Sequence, residues 1–84
     1  MSIAEQFGEN VRRCRKQASL SQEAVGLRAD LHRTEVGLLE RGERTPRIDT
    51  AVKLAGALGV APGDLLDGIA WQPGRLQRGR FESG

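Results

Sequence analysis

Apolar side chains recur at helical intervals at the start of the chain. Residues three or four apart share one side of a helix, and the apolar residues with this spacing are Ile3, Phe7, Val11, Cys14 and Ala18. Ser2 and Glu5 have the spacing of a capping box, in which a hydroxyl and a carboxylate each accept from a free backbone N–H. The pattern predicts a first helix from about Ile3 to Ala18.

Two short helices joined by a tight turn are predicted for the next stretch. Gln22–Arg28 forms the first helix, because the Ser21 hydroxyl is placed to cap it. Asp30 follows, and aspartate tolerates the left-handed backbone of a sharp turn better than most residues. The second helix runs from about His32 to Glu40, and Gly42 is a signal for its end.

The two sides of this helix pair differ in polarity. The apolar residues on the sides that would face each other are Val25, Ala29, Leu31, Val36 and Leu39. Gly26 has no side chain, so we expect another helix to cross it at close range. The outer face of the second helix consists of His32, Arg33, Thr34, Gly37 and Leu38. That face is polar and slender, and we expect it to fit a DNA major groove.

Two more helices are predicted after a loop that Gly and Pro interrupt. The first is Ile48–Leu58, which Gly59 ends and whose apolar side consists of Ile48, Val52, Leu54, Ala55 and Leu58. A short fifth helix starts within Val60–Leu66, where Pro62 has a permitted first-turn position. We therefore expect an all-α, compact five-helix domain over residues 1–68.

Residues 69–84 are predicted to form a C-terminal arm. Ile69–Gln72 and Arg78–Glu82 are expected to be extended, and the Pro73–Gly74 turn signal between them favours a short hairpin. Disorder is the alternative, because Gly, Arg and Gln are frequent in this stretch. Trp71 favours at least one anchored point.

Composition excludes several functional classes. The 84 residues carry a net charge of +2 and suit one small domain, without an apolar run of membrane-spanning length or a secretory signal. The lone Cys14 fits core packing, and the chain has too few Cys and His for a zinc site. No catalytic constellation can be assembled, so we expect no enzyme activity and no cofactor. The cysteine content suits a cytoplasmic location.

One combination of residues extends over most of the chain. It comprises Leu20-Ser21-Gln22-Glu23, Gly26, Asp30, Val36, Leu39-Glu40-Arg41-Gly42 and Thr45-Pro46. Together these residues resemble the helix-turn-helix of the phage-repressor and Cro-type family, also called the XRE family, over about Ile3 to Leu66. Two positions depart from the family pattern. Asp30 replaces the usual Gly or Asn, and Glu35 places a carboxylate close to expected phosphates.

The resemblance implies which side chains contact DNA. Arg33 and Thr34 match base-contacting positions, and arginine can bind O6 and N7 of guanine together. Leu38 matches another base-contacting position, with a partly covered core edge as the alternative. His32 is expected to touch a base or a phosphate. The candidates for phosphate contacts are Gln22, Arg44, Thr45 and Arg47.

The resemblance also implies an internal ion pair and a dimer contact. Arg15 matches a position that pairs with the glutamate at Glu40, and this pairing would let the carboxylate lie against the core. The fifth helix and the residues after it match the dimer contact of the family. The candidate interface residues are Leu65, Leu66, Ile69 and Trp71.

These inferences predict a homodimeric, sequence-specific transcriptional regulator that binds double-stranded DNA. A restriction-modification controller, an antitoxin-type regulator with a toxin partner and a small phage-like repressor remain open within this prediction. The alternative is a protein-interaction module that kept the fold and lost DNA binding. Glu35 and the low net charge are the best support for that alternative.

Overall fold

Four α-helices, one 3-10 turn and a β-hairpin follow one another in the computed structural model, which describes residues 1–84. The elements are α1 (Ile3–Gln17), α2 (Gln22–Ala29), α3 (Arg33–Glu40), α4 (Ile48–Leu58), the 3-10 turn (Pro62–Leu66), β1 (Ala70–Gln72) and β2 (Arg80–Glu82). The predominantly helical fold is confirmed, but the predicted fifth α-helix is absent. None of the helices is both long and apolar enough to span a membrane.

The start of α1 has the predicted capping box. The Glu5 N–H donates to Ser2 Oγ at 3.1 Å, and the Ser2 N–H donates to Glu5 Oε1 at 3.0 Å. The helix ends at Gln17, and Ser19 then adopts a left-handed φ of 57°. Ala18, predicted to be the last apolar position of the helix, therefore lies just outside α1 and is exposed.

The turn between α2 and α3 has the predicted left-handed residue. Asp30 has φ 55° and ψ 42°, and the Leu31 N–H donates to the Gly26 carbonyl at 2.8 Å. This geometry lets the chain turn sharply between the end of α2 and the start of α3. The third helix begins at Arg33, one residue later than predicted, because His32 is its N-cap.

Two glycines allow the backbone to approach α3 and its preceding turn closely. A Cβ on Gly8 would lie 2.5 Å from the Glu40 carbonyl oxygen, so α1 crosses the end of α3 at this point. A Cβ on Gly26 would lie 2.5 Å from the Leu31 carbonyl oxygen. The close neighbours of Gly26 are therefore the turn into α3 and the backbone nitrogen of Arg33, so the helix predicted to approach Gly26 closely does so at its first residue. Both contacts fix the position of α3.

A single apolar core collects side chains from every helix. Its buried members are Phe7, Val11, Cys14, Val25, Ala29, Val36, Leu39, Leu54, Ala55, Ala57, Leu58 and Leu65. Cys14 is among them, as the apolar stripe of α1 predicts. Fully burying a large aliphatic or aromatic side chain contributes roughly 1.5–3 kcal/mol, so this cluster is the main stabilising feature of so short a chain.

The fourth helix buries only part of its predicted apolar side. Leu54, Ala55 and Leu58 lie in the core, but Ile48 is 85% exposed and Val52 is 51% exposed. The reason is that α4 lies against α2 and the 3-10 turn, which leaves the outer side of its first two turns uncovered. The helical spacing of these residues predicted the helix correctly but not the depth of each side chain.

The predicted fifth helix is a single 3-10 turn because its backbone bonds span three residues. The Asp64 N–H donates to the Ala61 carbonyl at 2.9 Å, and the Asp67 N–H donates to the Asp64 carbonyl at 3.4 Å. Gly68 then has a φ of 81°, which takes the chain out of the helical conformation. The segment is therefore too short to establish the four-residue bonds of an α-helix.

A buried asparagine fastens the 3-10 turn to α1. Asn10 Nδ2 donates to the carbonyls of Leu65 at 3.0 Å and Asp67 at 2.8 Å. Its Oδ1 accepts from Gln6 Nε2 at 3.1 Å and from Arg13 Nη1 at 3.0 Å. Because every polar atom of this amide has a partner, its complete burial carries no unpaired-group penalty.

The C-terminal arm is an antiparallel hairpin, which confirms the first of its two expected conformations. Trp71 lies opposite Phe81 in the register of β1 and β2. Their ring centroids are 4.9 Å apart with an interplanar angle of 70°, an edge-to-face arrangement that aromatic pairs favour. Each strand is three residues long, shorter than the extended segments that the sequence predicted.

Candidate functional site

The candidate site is the exposed face at the start of α3. Arg33 and Thr34 occupy the first turn of this helix, and both are exposed. On the opposite side, Val36 and Leu39 are completely buried in the core. The core therefore fixes the rotation of α3, and the polar residues at its start face outward as the sequence predicts.

His32 caps α3 with its ring. The Nδ1 atom accepts from the Thr34 N–H at 3.0 Å, which satisfies one of the free donors at the helix start. The Nε2 atom is the ring nitrogen left to contact another molecule. No group of three or more His, Cys, Asp or Glu side chains that could hold a metal ion is present.

An acid on α2 orients Arg33. Arg33 Nη1 lies 3.5 Å from Glu23 Oε2, and the two side chains are 67% and 65% exposed. Exposed ion pairs of this kind contribute little to stability. Arg33 is therefore held over the start of α3 by a contact that it can readily exchange for another acceptor.

A second ion pair connects α3 to the loop after it. Arg44 Nη1 lies 3.1 Å from Glu35 Oε1, and the Arg44 side chain is the more exposed of the two. Glu35 is the carboxylate that departs from the family pattern. In the free protein its charge is balanced by Arg44, so the site is less acidic than the sequence of α3 suggests.

The buried end of α3 is held by a polar network. Arg15 Nε lies 2.6 Å from Glu40 Oε2, and Arg15 Nη2 lies 3.0 Å from Glu40 Oε1. Gln22 Nε2 donates to the same Glu40 Oε1 at 3.2 Å. The hydrogen bond from the guanidinium to Glu40 raises the pKa of Arg15 above its ordinary value. The pair occupies the positions that the family resemblance indicated, and Gln22 is turned toward it.

Gly37 does not lie on the open outer face, and its placement there was wrong. The residue is buried, and a Cβ on it would lie 3.0 Å from Arg41 Nη1 and 3.6 Å from Gln22 Oε1. Those two side chains cover it. Leu38 is half-buried, which agrees with its alternative interpretation as an edge of the core. The fully exposed part of the face is therefore limited to the first turn of α3 and its cap.

The loop after α3 places its three phosphate-contact candidates on the surface. Arg44, Thr45 and Arg47 are all exposed. Arg47 Nε lies 3.4 Å from Asp49 Oδ1, in an exposed ion pair. Both arginines would have to exchange an acidic partner for a phosphate, whereas Thr45 has no such partner. Their roles stay predictions.

A continuous apolar surface, called the apolar face below, lies beside this loop. It consists of Ile48, Val52, Leu66, Ile69, Phe81 and Trp71, the last of which adjoins it through its edge-to-face contact with Phe81. Two shallow cavities run along it and share the side chains of Phe7, Pro46 and Leu66. Among the dimer candidates, Leu66 and Trp71 are about half exposed and Ile69 is half-buried. An exposed patch of this kind is characteristic of an interaction surface.

Leu65 cannot belong to that surface, and its assignment to the dimer interface was wrong. It has no exposed area, and its side chain is part of the core. The 3-10 turn directs consecutive side chains to different sides, so Leu66 faces outward where Leu65 faces inward. Ile48, Val52 and Phe81 contribute to the apolar face instead.

Two side chains that hold the site in place were not predicted from the sequence: the Glu23 carboxylate that pairs with Arg33, and the Asn10 amide that holds the 3-10 turn. Glu23 looked like an ordinary acid in the first turn of a helix, and only the packing of α2 against α3 brings it to Arg33. Asn10 did leave a signal. It lies four residues from Gln6 and beside the apolar stripe of α1, a spacing that brings two polar side chains together on a helix.

Comparison with known proteins gives a family match over most of the helical part. The helix-turn-helix family model HTH_3 matches residues 11–65. The control protein C.BamHI of Bacillus amyloliquefaciens is 45% identical over 62 residues, which cover 73% of this chain and 76% of that protein. The control protein C.SmaI of Serratia marcescens is 42% identical over 66 residues, which cover 79% of each chain.

Solved structures with the same fold agree with this match. The restriction-modification controller protein C.AhdI of Aeromonas hydrophila superimposes with a TM-score of 0.72 at 37% identity, covering 74% of this chain and 94% of that one. The DNA-binding domain of the P22 c2 repressor superimposes with a TM-score of 0.73 at 29% identity, covering 81% of this chain and 88% of that one.

Proposed function

The chain belongs to the HTH_3 helix-turn-helix family of XRE-type, DNA-binding transcriptional regulators, and we propose that it binds specific double-stranded sites as a homodimer. The main support for binding of specific double-stranded sites is the exposed first turn of α3. Its polar side chains project from a helix whose other side is locked into the core. A rigid helix with an exposed polar start is what base contacts in a major groove require.

In the proposed complex, α3 lies in the major groove and Arg33 and Thr34 contact bases. Arg33 exchanges Glu23 for the O6 and N7 atoms of a guanine, which offer two acceptors in the geometry of a guanidinium. Thr34 offers a hydroxyl to a base edge or its methyl group to thymine. His32 Nε2 and the exposed part of Leu38 lie at the margins of this contact. The 3.5 Å separation of Arg33 from Glu23 supports an exchangeable partner.

Phosphate contacts hold α3 in the groove. Thr45, Arg44 and Arg47 approach the DNA backbone from the loop after α3. Gln22 approaches it from the start of α2, with the Nε2 hydrogen that is not donated to Glu40. Such contacts orient the protein on the duplex and account for most of the salt dependence of its affinity, but they do not distinguish one DNA sequence from another. Arg44 must leave Glu35 to make its contact, so binding breaks one exposed ion pair.

The apolar face pairs two copies of the protein. Leu66, Ile48 and Val52 are each at least half exposed, and pairing would remove their apolar area from water. A two-fold interface presents the same patch on both copies, which suits a continuous surface on one side of the molecule. The two α3 helices would then contact half-sites whose centres lie about 34–36 Å apart, one turn of DNA.

Within the family, the protein acts as a control protein for restriction-modification genes. Two relatives that are 45% and 42% identical are control proteins by name, and a solved relative at 37% identity is a restriction-modification controller. The phage-like repressor is supported by a lower identity of 29%. An antitoxin role has no comparable support among these relatives.

The proposal is tested by selecting DNA from a random duplex library with the purified protein. We expect enrichment of a site with two related halves, located before a neighbouring restriction or methyltransferase gene. The matched control is Arg33→Ala/Thr34→Ala, which alters the exposed turn of α3 without touching the core and should abolish the enrichment. If the parent protein enriches no sequence and binds no duplex, a protein-interaction module becomes the better-supported function.

A further inference from the structure

The excess positive charge of this protein lies entirely in its C-terminal hairpin. The chain has 13 basic and 11 acidic side chains, and residues 69–84 contain three of the basic ones, Arg75, Arg78 and Arg80, and one acidic one, Glu82. Residues 1–68 therefore carry ten of each sign and no net charge. This charge balance is unusual for a domain expected to bind DNA, because contacts between basic side chains and DNA phosphates supply most of the non-specific attraction.

Ion pairing distinguishes the arginines of the hairpin loop from the arginines proposed to contact DNA around α3. On the α3 side, Arg33, Arg44 and Arg47 each have an acidic partner within 3.5 Å. In the hairpin, only Arg80 has one, Glu82 at 3.6 Å. Arg75 and Arg78 are exposed and have no acidic partner. They are guanidinium groups that could take a phosphate without first breaking an ion pair.

The loop that carries these two arginines is a folded turn. The Trp71 ring packs against Gly79 so closely that a Cβ there would overlap the ring. Trp71 also packs edge-to-face on Phe81 across the strands. Gly74 lies directly against the Gln77 carbonyl, so no larger residue fits at that position of the turn. The guanidinium groups are therefore displayed on a shaped loop, which lowers the entropy cost of binding.

The base of the hairpin adjoins the loop that follows α3. Phe81 and Thr45 line the same surface cavity, and the Ser83 hydroxyl donates to the Met1 carbonyl at the start of α1. The molecule is 47 Å long but only about 20 Å across. The hairpin therefore starts next to a predicted phosphate contact. The helix-turn-helix family match stops at residue 65, before the hairpin begins.

We propose that the hairpin is a second DNA-binding element, in which Arg75 and Arg78, in the loop at its far end, contact phosphates farther along the duplex than those touched by the Thr45 loop. The two guanidinium groups bind the phosphodiester backbone and take no part in base recognition. The arm supplies the attraction that the neutral helical part lacks. This inference rests on the proposed DNA binding by α3 and adds a contact outside the helix-turn-helix.

The test compares the salt dependence of DNA binding by the full chain and by Arg75→Gln/Arg78→Gln. Each lost phosphate contact lowers the slope of log affinity against log salt by about 0.9, so the slope should fall by about 1.8. Between about 50 and 200 mM salt, the variant should then lose roughly tenfold less affinity than the parent. Both selected and scrambled duplexes should show the same change, because phosphates carry no sequence information.

Two control variants show whether the change in slope comes from these two charges. Arg75→Lys/Arg78→Lys keeps both charges on the loop and should retain most of the slope, and Lys53→Gln removes an exposed charge from α4 and should leave it unchanged. An unchanged slope in the glutamine variant overturns the inference while α3 binding stands. A weaker dimer in sedimentation with an unchanged slope would instead make the arm a contact between copies. If the parent binds no duplex, the proposed function itself fails.

Discussion

Arg15 and Glu40 are joined by two parallel N–H to oxygen contacts of 2.6 and 3.0 Å, across the crossing of α1 and α3. The Glu40 side chain is only 4% exposed. Arg15 Nη1 also donates to the Leu20 carbonyl at 3.1 Å, at the entry to α2. One guanidinium thus holds the end of α3 and the segment before α2, the two elements that set the position of the candidate site.

The first prediction is that Arg15→Ala destabilises the fold substantially. The substitution leaves a buried carboxylate with Gln22 as its one remaining side-chain donor, and removing one partner of a buried pair costs roughly 3–5 kcal/mol. Because Gln22 stays at 3.2 Å, we expect the lower end of that range. Urea unfolding measures it, with Arg12→Ala, an exposed arginine of the same helix, as the control. Equal midpoints for the two variants would contradict the prediction.

The second prediction concerns acid stability and the capping box. The Ser2 N–H, followed by the Ser2 hydroxyl, lowers the pKa of Glu5 below its ordinary value of 4.5. A carboxyl with a lower pKa in the folded protein stabilises the fold above its unfolded pKa, and this contribution is lost as the pH falls through the folded pKa. Glu5→Gln should therefore lose less stability than the parent between about pH 5 and pH 2.

The measured quantity is the change in unfolding free energy of each protein between two pH values. A change in helix propensity is the same at both pH values, so it does not affect the result. Ser2→Ala keeps the backbone N–H and removes the hydroxyl, and its loss of stability on acidification should lie between those of the parent and Glu5→Gln. Identical acid sensitivity in all three proteins would show that the ionised Glu5 carboxylate does not contribute to stability through the capping box.

Local physical chemistry explains why the element boundaries could be predicted. The caps at Ser2 and Ser21 and the left-handed turn at Asp30 depend on neighbours within a few residues, and all three are observed. The depth of a side chain depends on what packs over it from elsewhere in the chain. Ile48, predicted to lie on the apolar side of α4, is therefore largely exposed, and Leu65, predicted to lie in the dimer interface, is buried in the core.

In the candidate site, too, positions along a helix could be predicted from the sequence, but contacts between different elements could not. The motif alone could place Arg33 in the first turn of α3. Its partner Glu23 and the pairing of Glu35 with Arg44 depend on where α2 and the loop after α3 pack. The sequence shows the charge of Glu35 but not the guanidinium of Arg44 that balances it in the free protein.

The third prediction is that Leu66→Glu converts the proposed dimer into a monomer. Leu66 is 52% exposed at the centre of the apolar face, so the folded monomer tolerates a carboxylate there. Pairing would bury two such charges, one from each copy, and should raise the dimer dissociation constant by roughly a hundredfold or more, about 2.7 kcal/mol. Leu27→Glu, on an exposed position of α2, is the matched control. Sedimentation measures the dimer dissociation constant of both variants. If the two constants are equal, this surface is not the dimer interface.

The last prediction is that Arg33→Ala and Arg44→Ala impair DNA binding in different ways. Arg33 is proposed to contact a base, so its loss should cost roughly 1–3 kcal/mol on the selected site and relax the choice at one base pair. Arg44 is proposed to contact a phosphate, so its loss should weaken all sequences about equally and reduce the salt slope by about one unit. Titrations on selected and scrambled duplexes at several salt concentrations distinguish the two effects.

The ion pair between Glu35 and Arg44 allows a sharper form of this experiment. Glu35→Gln frees Arg44 from its 3.1 Å contact and removes a negative charge near the backbone, so binding to scrambled duplexes should become tighter. Arg44→Ala also leaves Glu35 unbalanced, and part of its loss should therefore be recovered in Glu35→Gln/Arg44→Ala. If that double variant binds no better than Arg44→Ala, Glu35 does not oppose the phosphates. If Arg33→Ala and Arg44→Ala change affinity and salt slope identically, α3 does not contact bases through Arg33.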